Sequence, residues 1–208
     1  MTSRNAHSDS NTIYELKITL LDSRPSIWRR IQVANCTLDE LHECIQTAMG
    51  WANSHLHQFE IGQTRYADPS MSDDPYDDGS CKDSRVTLLA DVLSQPRKGL
   101  SYFFGPWLKG FRLLYIYDFG DGWSHEIRLE RVLQREPGIS YPQCIAGARA
   151  CPPEDAGGVR GYAHLLKVLA NPRHAEYEEL HAWAGDFDSE QFSPDEKTKD
   201  MQVGLRNW

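Results

Sequence analysis

An aspartate and a histidine flank a tight-turn sequence near the middle of the chain. Residues 117–127 read Tyr-Asp-Phe-Gly-Asp-Gly-Trp-Ser-His-Glu-Ile, with an Asp-Gly pair at 121–122 between two alternating hydrophobic stretches. This pattern predicts a β-hairpin with a two-residue turn, because glycine adopts the positive φ that such turns need. In that hairpin Asp118 pairs with His125. Opposed side chains in antiparallel strands lie about 5 Å apart at Cβ, so the sequence predicts an Asp–His pair at the rim of an apolar face.

The Asp118–His125 pair has three interpretations that the sequence leaves open. In the first, the carboxylate simply satisfies a half-buried imidazole. In the second, His125 binds a ligand or an anion. In the third, the aspartate fixes the tautomer of a histidine that acts in acid–base catalysis. The chain has no Gly-x-Ser-x-Gly motif, and local spacing brings no Ser or Cys beside His125 as a nucleophile.

A second candidate segment, 142–162, is rich in proline and glycine. Such a composition predicts an irregular surface loop, and long loops of this kind are often functional. Arg149 is suited to hold a carboxylate or phosphate. Glu154 and Asp155 precede a predicted helix, where they either cap the helix or bind a partner. We therefore predict a site between the 118–125 turn and the 144–162 loop. Its predicted binding residues are Asp118, Asp121, Trp123, His125, Arg149, Glu154 and Asp155.

Zinc binding at the same place is an alternative. Cys144 and Cys151 are too far apart in sequence for a Cys-x-x-Cys clip, and no second pair accompanies them. If the loop folds back on the hairpin, these thiols converge with His125 and Asp118 on a zinc ion. Otherwise they are ordinary thiols in a packed loop, and this second interpretation, with no metal ligand, is the one we favour.

Composition and charge restrict the class of protein. The 208 residues are 40% hydrophobic and carry a net charge of −8, which disfavours a general nucleic-acid binder. The sequence has no apolar run of about 18 residues, so we expect no membrane span. An odd number of cysteines (five) without an export signal predicts a reduced, cytoplasmic protein.

The order of strand-like and helix-like segments predicts an α+β fold. Alternating residues predict strands at 13–21, 27–33, 55–66, 86–88, 111–119 and 123–133. A capping box at Thr37 and Glu40 and a stop at Gly50 delimit a helix, and three more helices end the chain. We expect a disordered lead over 1–11 and a single domain over 12–208. Within it, an antiparallel sheet of hairpins packs with four to five helices, and residues 68–84 form an acidic insertion loop.

Three motifs together resemble the plasmid pRiA4b ORF-3-like family. They are the 117–125 hairpin, the loop Cys-Pro-Pro-Glu-Asp-Ala-Gly-Gly-Val-Arg-Gly-Tyr at 151–162, and Gly-Trp at 50–51 followed by His-Leu-His-Gln-Phe at 55–59. The resemblance extends from residue 14 to about residue 205. It implies a compact α+β domain found in prokaryotes, on plasmids and among genes of mobile elements. It implies no particular reaction.

The function we predict first is a non-catalytic binding module for an unidentified protein or small-molecule ligand. A metal-assisted hydrolase that uses the same residues is the alternative. A DNA-associated accessory protein is a weaker one, because the chain is acidic overall. The sequence identifies no cofactor, and zinc is the one metal for which it offers candidate ligands.

Overall fold

Two alternating runs near the N-terminus begin the sheet. In a computed structural model, which describes residues 11–71, 81–94 and 111–204, β1 (Thr12–Leu20) pairs antiparallel with β2 (Trp28–Ala34). The predicted inward residues of both strands, such as Ile18 and Ile31, are fully buried. Arg29 shares their parity and is buried as well. Its guanidinium donates to the carbonyl oxygens of Trp28, Ala48 and Ala148, which replace the water that it loses.

Six more strands complete a single sheet. They are β3 (His57–Ile61), β4 (Thr64–Ala67), β5 (Cys81–Asp83), β6 (Arg112–Tyr117), β7 (Trp123–Gln134) and β8 (Gln143–Ala148). The strand order is β5-β4-β3-β6-β7-β1-β2-β8. Every pairing is antiparallel except that of β4 with β5, which is parallel. The predicted antiparallel α+β architecture is therefore confirmed for most of the sheet, and the sheet as a whole is mixed.

Five helices accompany the sheet, as predicted. They are α1 (Leu38–Met49), α2 (Leu89–Leu93), α3 (Gly158–Leu169), α4 (Tyr177–Ala184) and α5 (Pro194–Gly204), with a short 3-10 turn at Pro69–Met71. The capping box of α1 is confirmed, since Thr37 and Glu40 each accept a backbone N–H of the other. The apolar side of α1 is buried in the core. No helix within the described ranges is long and apolar enough to cross a membrane.

Four local predictions were wrong. The predicted strand 55–66 is two strands separated by a turn at Gly62, and the predicted strand 86–88 makes only an isolated bridge with Thr37. β8 lies within the segment predicted as irregular, and β5 lies within the predicted acidic loop. Each of these strands forms because another segment pairs with it. β5 pairs with β4, and β8 pairs with β2. Thr198 of α5 also donates to and accepts from the backbone of Cys144 in β8. The remaining predictions for 1–10, 72–80, 95–110 and 205–208 lie outside the described residues.

One contact fixes the start of α3 against the turn between β6 and β7. The Gly157 amide donates to the Asp121 carboxylate at 3.0 Å. Gly158 has φ +66°, and a Cβ at this position would lie 2.4 Å from the Asp121 carbonyl oxygen. Because real Cβ atoms do not approach an oxygen so closely, only glycine allows the two segments to meet. This contact brings the loop before α3 up to the turn.

Replacement of Gly158 tests the contact. Gly62 has nearly the same φ, +63°, but open space where its Cβ would be, so it is a matched control. We expect Gly62→Ala to cost about 1 kcal/mol of unfolding free energy from backbone strain alone. Gly158→Ala should cost about 3 kcal/mol or more, because overpacking adds to the same strain. Urea unfolding measures both, and equal losses would contradict the close approach.

Candidate functional site

The hairpin between β6 and β7 closes through a longer turn than the sequence predicts. Tyr117 pairs with Trp123, so residues 118–122 form the turn, and the partner of His125 is Tyr115. The predicted pairing of Asp118 with His125 is therefore wrong. The observed register differs from the predicted one by an odd number of residues. The side chains of β6 that lie on the same face as His125 are therefore the opposite set from the one predicted. Tyr115 and Tyr117 consequently face the core together with His125.

Asp118 itself builds the longer turn. Its Oδ1 accepts the amides of Gly120 and Asp121 at 2.9 and 3.3 Å, and its carbonyl oxygen accepts the Gly122 amide at 2.6 Å. Asp118 has φ 55°, a left-handed conformation that aspartate tolerates better than most residues. Its own amide donates to the carbonyl of Leu56, which joins the turn to the segment before β3. Its second carboxylate oxygen, Oδ2, is left for other contacts.

His125 lies in the core and not at an opening. Its side chain is 0% exposed and packs against Trp51 and Tyr115, with ring centroids 5.3 and 5.4 Å away. Neither ring nitrogen has a well-formed hydrogen bond. Burial lowers the pKa of His125 to about 4, so the ring is neutral at pH 7. Trp123 is also fully buried.

Four side chains from three segments converge where the turn meets the loop, and we call this group the mouth. It consists of His55, Asp118, Glu154 and Asp155. Nε2 of His55 lies 3.8 Å from Asp118 Oδ2, 3.8 Å from Glu154 Oε2 and 3.4 Å from Asp155 Oδ1. The Asp118 side chain is 10% exposed, whereas that of Asp155 is 76% exposed. The mouth therefore reaches from the protein interior to solvent.

Glu154 is held by one of its two carboxylate oxygens. Oε1 accepts the Ala52 amide at 3.0 Å and the Tyr117 hydroxyl at 3.1 Å. Oε2 is buried and has no hydrogen-bonding partner. Burial and the neighbouring Glu154 carboxylate raise the pKa of Tyr117, so its hydroxyl stays protonated and donates. The free oxygen of Glu154 thus keeps a fixed position beside His55.

The other predicted residues have different roles. Asp121 accepts the Gly157 amide and so supports the mouth from outside. Arg149 donates to the Ser26 carbonyl and pairs with Glu190 at 3.0 Å, contacts that belong to neither the turn nor the mouth. The structure therefore brings Asp118, Glu154 and Asp155 together, with Asp121 next to them, and leaves Arg149 elsewhere.

The predicted zinc ligands do not form a cluster. Among the described residues, the group with three ligand atoms within 4.8 Å of one another is His55, Asp118 and Asp155. His125, Cys144 and Cys151 form no such group, because His125 is enclosed by aromatic rings and Cys144 bonds to the Ala146 carbonyl. Burial raises the pKa of Cys144 to about 11, which disfavours the thiolate that binds zinc.

A cavity of about 500 Å³ adjoins the mouth at His55. Asp39, His42 and Glu43 of α1 form one wall, and residues 53–57 with Asp68 form the rest. Nε2 of His42 lies 2.7 Å from Asn53 Oδ1, which can only accept, so Nε2 carries the hydrogen. Nδ1 of this neutral ring then accepts from the Tyr115 hydroxyl at 2.7 Å, and that hydroxyl accepts from the Gln46 amide at 2.9 Å. Burial lowers the pKa of His42 to about 3, so this imidazole is neutral.

His55 is the residue of the mouth that the sequence did not predict. It lies in the His-Leu-His-Gln-Phe segment that supported the family resemblance, but no local pairing links residue 55 to residue 118 or 155. The link is tertiary: β3 lies beside β6, and the Leu56 carbonyl accepts the Asp118 amide. The one indication of its role in the sequence was its place in the motif at 55–59 that resembles the family.

Comparison with known proteins agrees with the fold and the motifs. Residues 12–196 match the family described as plasmid pRiA4b ORF-3-like protein. The chain belongs to this family. A relative, "Uncharacterized protein y4hQ" of Sinorhizobium fredii (strain NBRC 101917 / NGR234), is 36% identical over 181 residues, 86% of this chain and 84% of the relative.

A solved structure is also similar to this member of the plasmid pRiA4b ORF-3-like family. It is the "Crystal Structure of Protein of Unknown Function MM3350 from Methanosarcina mazei Go1", with a TM-score of 0.74 and 37% sequence identity. The match covers 90% of this chain and 98% of that chain. The architecture described above is thus shared with this protein of Methanosarcina mazei Go1. Neither relative's name states an activity.

The burial of His125 predicts a pH dependence of stability. Because its folded-state pKa, about 4, lies below the ordinary 6.5, the unfolded chain binds the proton first as the pH falls. His125 should therefore remove up to about 3 kcal/mol of unfolding free energy between pH 6.5 and pH 4, and no more below that. His125→Phe should flatten the dependence measured by urea unfolding. His181→Phe, at an exposed position, is the control, and identical slopes for all three proteins would contradict the buried neutral ring.

Proposed function

We propose that this protein is a binding module for a small organic cation, a molecule with an ammonium or guanidinium group. The site is the cavity that adjoins the mouth. The observation that carries the proposal is the pair of carboxylates on α1, Asp39 and Glu43, which line this cavity without a hydrogen bond or an ion pair to the described residues. Its volume of about 500 Å³ is in the range of known small-molecule sites.

Asp39 and Glu43 are four residues apart and lie on the same side of α1. Like charges at this spacing destabilise a helix by about 0.2–0.5 kcal/mol. Neither carboxylate has a hydrogen bond or an ion pair with any residue that the structure describes. Burial, and then repulsion from neighbouring carboxylates, raises the pKa of both groups. A bound cation would relieve this repulsion.

A nearby cation, Arg85, does not line the cavity; it pairs with Asp68 and Asp83 and only partly offsets the raised pKa of Asp39. Asp68 already accepts from Arg85 at 3.1 Å and from Ser70, so it is compensated. His57 stacks on His42 with ring centroids 3.4 Å apart, and burial lowers its pKa to about 4. Among the described lining residues there is no lysine or arginine. The two free carboxylates therefore dominate the field inside the cavity.

The same charge distribution disfavours other ligands. Phosphates and nucleic acids need a basic surface, whereas the mouth and cavity are lined by carboxylates and the chain carries a net charge of −8. We also propose a cytoplasmic location, supported by five cysteines that are all free.

Calorimetric titration with agmatine, a small compound with a guanidinium and an amine, tests this function. We expect binding to the wild type and an affinity at least about tenfold lower for the double variant Asp39→Asn, Glu43→Gln, because charged hydrogen bonds are lost. Glutarate, a dianion of similar length, should not bind.

The control is Asp186→Asn, an exposed aspartate far from α1 in sequence, which should bind agmatine as the wild type does. Thermal unfolding checks that each variant is folded. Equal agmatine affinity for the wild type and the double variant, or no binding at millimolar concentration, would overturn the proposal. Turnover of an ester substrate by the purified protein would instead favour the hydrolase.

A further inference from the structure

The mouth contains carboxylate oxygens that the fold holds in place without partners. Asp118 uses Oδ1 to accept two amides of its turn, so its side chain is fixed and 90% removed from solvent, at 10% exposure. Its Oδ2 has no hydrogen bond with the residues that the structure describes, and His55 Nε2 lies 3.8 Å from it. An unpartnered carboxylate oxygen in such a position costs free energy unless a cation or donor binds it.

The other atoms of the mouth face the same point. His55 Nε2, Asp118 and Asp155 each present one ligand atom, and these atoms lie within 4.8 Å of one another. The distances from Nε2 to the aspartate oxygens are 3.8 Å and 3.4 Å. Two ligands that are each about 2.1 Å from a metal ion lie about 3.0–3.4 Å apart at octahedral or tetrahedral angles. The separation from Asp155 lies within this range, and the separation from Asp118 exceeds it by less than about 0.5 Å.

We propose that the mouth binds one divalent first-row transition-metal ion through His55, Asp118 and Asp155. An imidazole with two carboxylates suits Mn²⁺, Fe²⁺ or Zn²⁺, whereas Ca²⁺ prefers oxygen ligands alone. Three protein ligands leave coordination positions for water or for a ligand. The free Oε2 of Glu154, 3.8 Å from His55 Nε2, is placed to accept a hydrogen bond from such a water.

This metal site is separate from the cavity that binds the organic cation, although His55 borders both. The two proposals therefore rest on different residues: Asp39 and Glu43 in the cavity, and Asp118 and Asp155 in the mouth. The ion would lie at the end of the cavity, where its open positions face a bound molecule. A ligand with a cationic group and a metal-binding group would use both sites together.

Calorimetric titration of chelator-treated protein with Mn²⁺ and with Zn²⁺ tests the metal site. We expect one equivalent of metal per chain, and weaker binding of Ca²⁺. Asp118→Asn should lower the affinity at least about 100-fold, since even loss of an outer contact costs about 10–100-fold. This variant keeps an Oδ1 that can accept the two turn amides, so the turn should remain folded.

Asp155→Asn provides a second variant whose folding is not at issue, because the side chain is 76% exposed. The control variant Asp186→Asn and the cavity variant Asp39→Asn, Glu43→Gln should bind metal as the wild type does. Wild-type protein that binds neither ion at millimolar concentration would overturn the site, as would Asp118→Asn and Asp155→Asn proteins with unchanged affinity. Agmatine binding by metal-free Asp118→Asn protein reports on the cavity separately, so the two proposals can fail independently.

Discussion

The contact between the hairpin turn and the start of α3 is the constraint on which the candidate site depends. Asp118 and Glu154 lie in neighbourhoods that are far apart in sequence. Asp118 is held by two amides of its own turn, whereas Glu154 is held by the Ala52 amide and the Tyr117 hydroxyl. The Asp121–Gly157 hydrogen bond, and the close approach that Gly158 allows, bring these neighbourhoods together. His55 joins them because the Leu56 carbonyl accepts the Asp118 amide. The mouth is thus assembled largely by backbone hydrogen bonds. They leave one carboxylate oxygen of Asp118 and one of Glu154 without a hydrogen bond to the described residues.

The free carboxylates are the main electrostatic feature of the protein. A fold selected only for stability would pair or expose such groups, because uncompensated buried charge is costly. Here Asp118 and Glu154 each keep one oxygen without a partner, and Asp39 and Glu43 face a cavity together. Fixed negative charge beside open space favours the binding of cations, both organic and metallic, over the binding of anions. It also disfavours nucleic acids, as the net charge of the sequence does.

Local sequence signals predicted the fold well and the site only in part. The capping box of α1 and the alternation in β1 and β2 are local, and they are confirmed. The predicted hairpin register was wrong. The Asp-Gly pair at 121–122 favours a two-residue turn, but Asp118 accepts the amides of Gly120 and Asp121 and so forms a longer turn. That single error placed His125 at the mouth, where the structure has His55. Strands β5 and β8 depend on distant partners, and no local pattern predicted them.

The most direct test of a cation-binding mouth is a crystal of this protein soaked in Mn²⁺ and measured at a wavelength where manganese scatters anomalously. We expect one anomalous peak about 2.1–2.2 Å from His55 Nε2 and from one oxygen each of Asp118 and Asp155. A map with no peak at these residues, or with the ion bound only elsewhere on the surface, would contradict it.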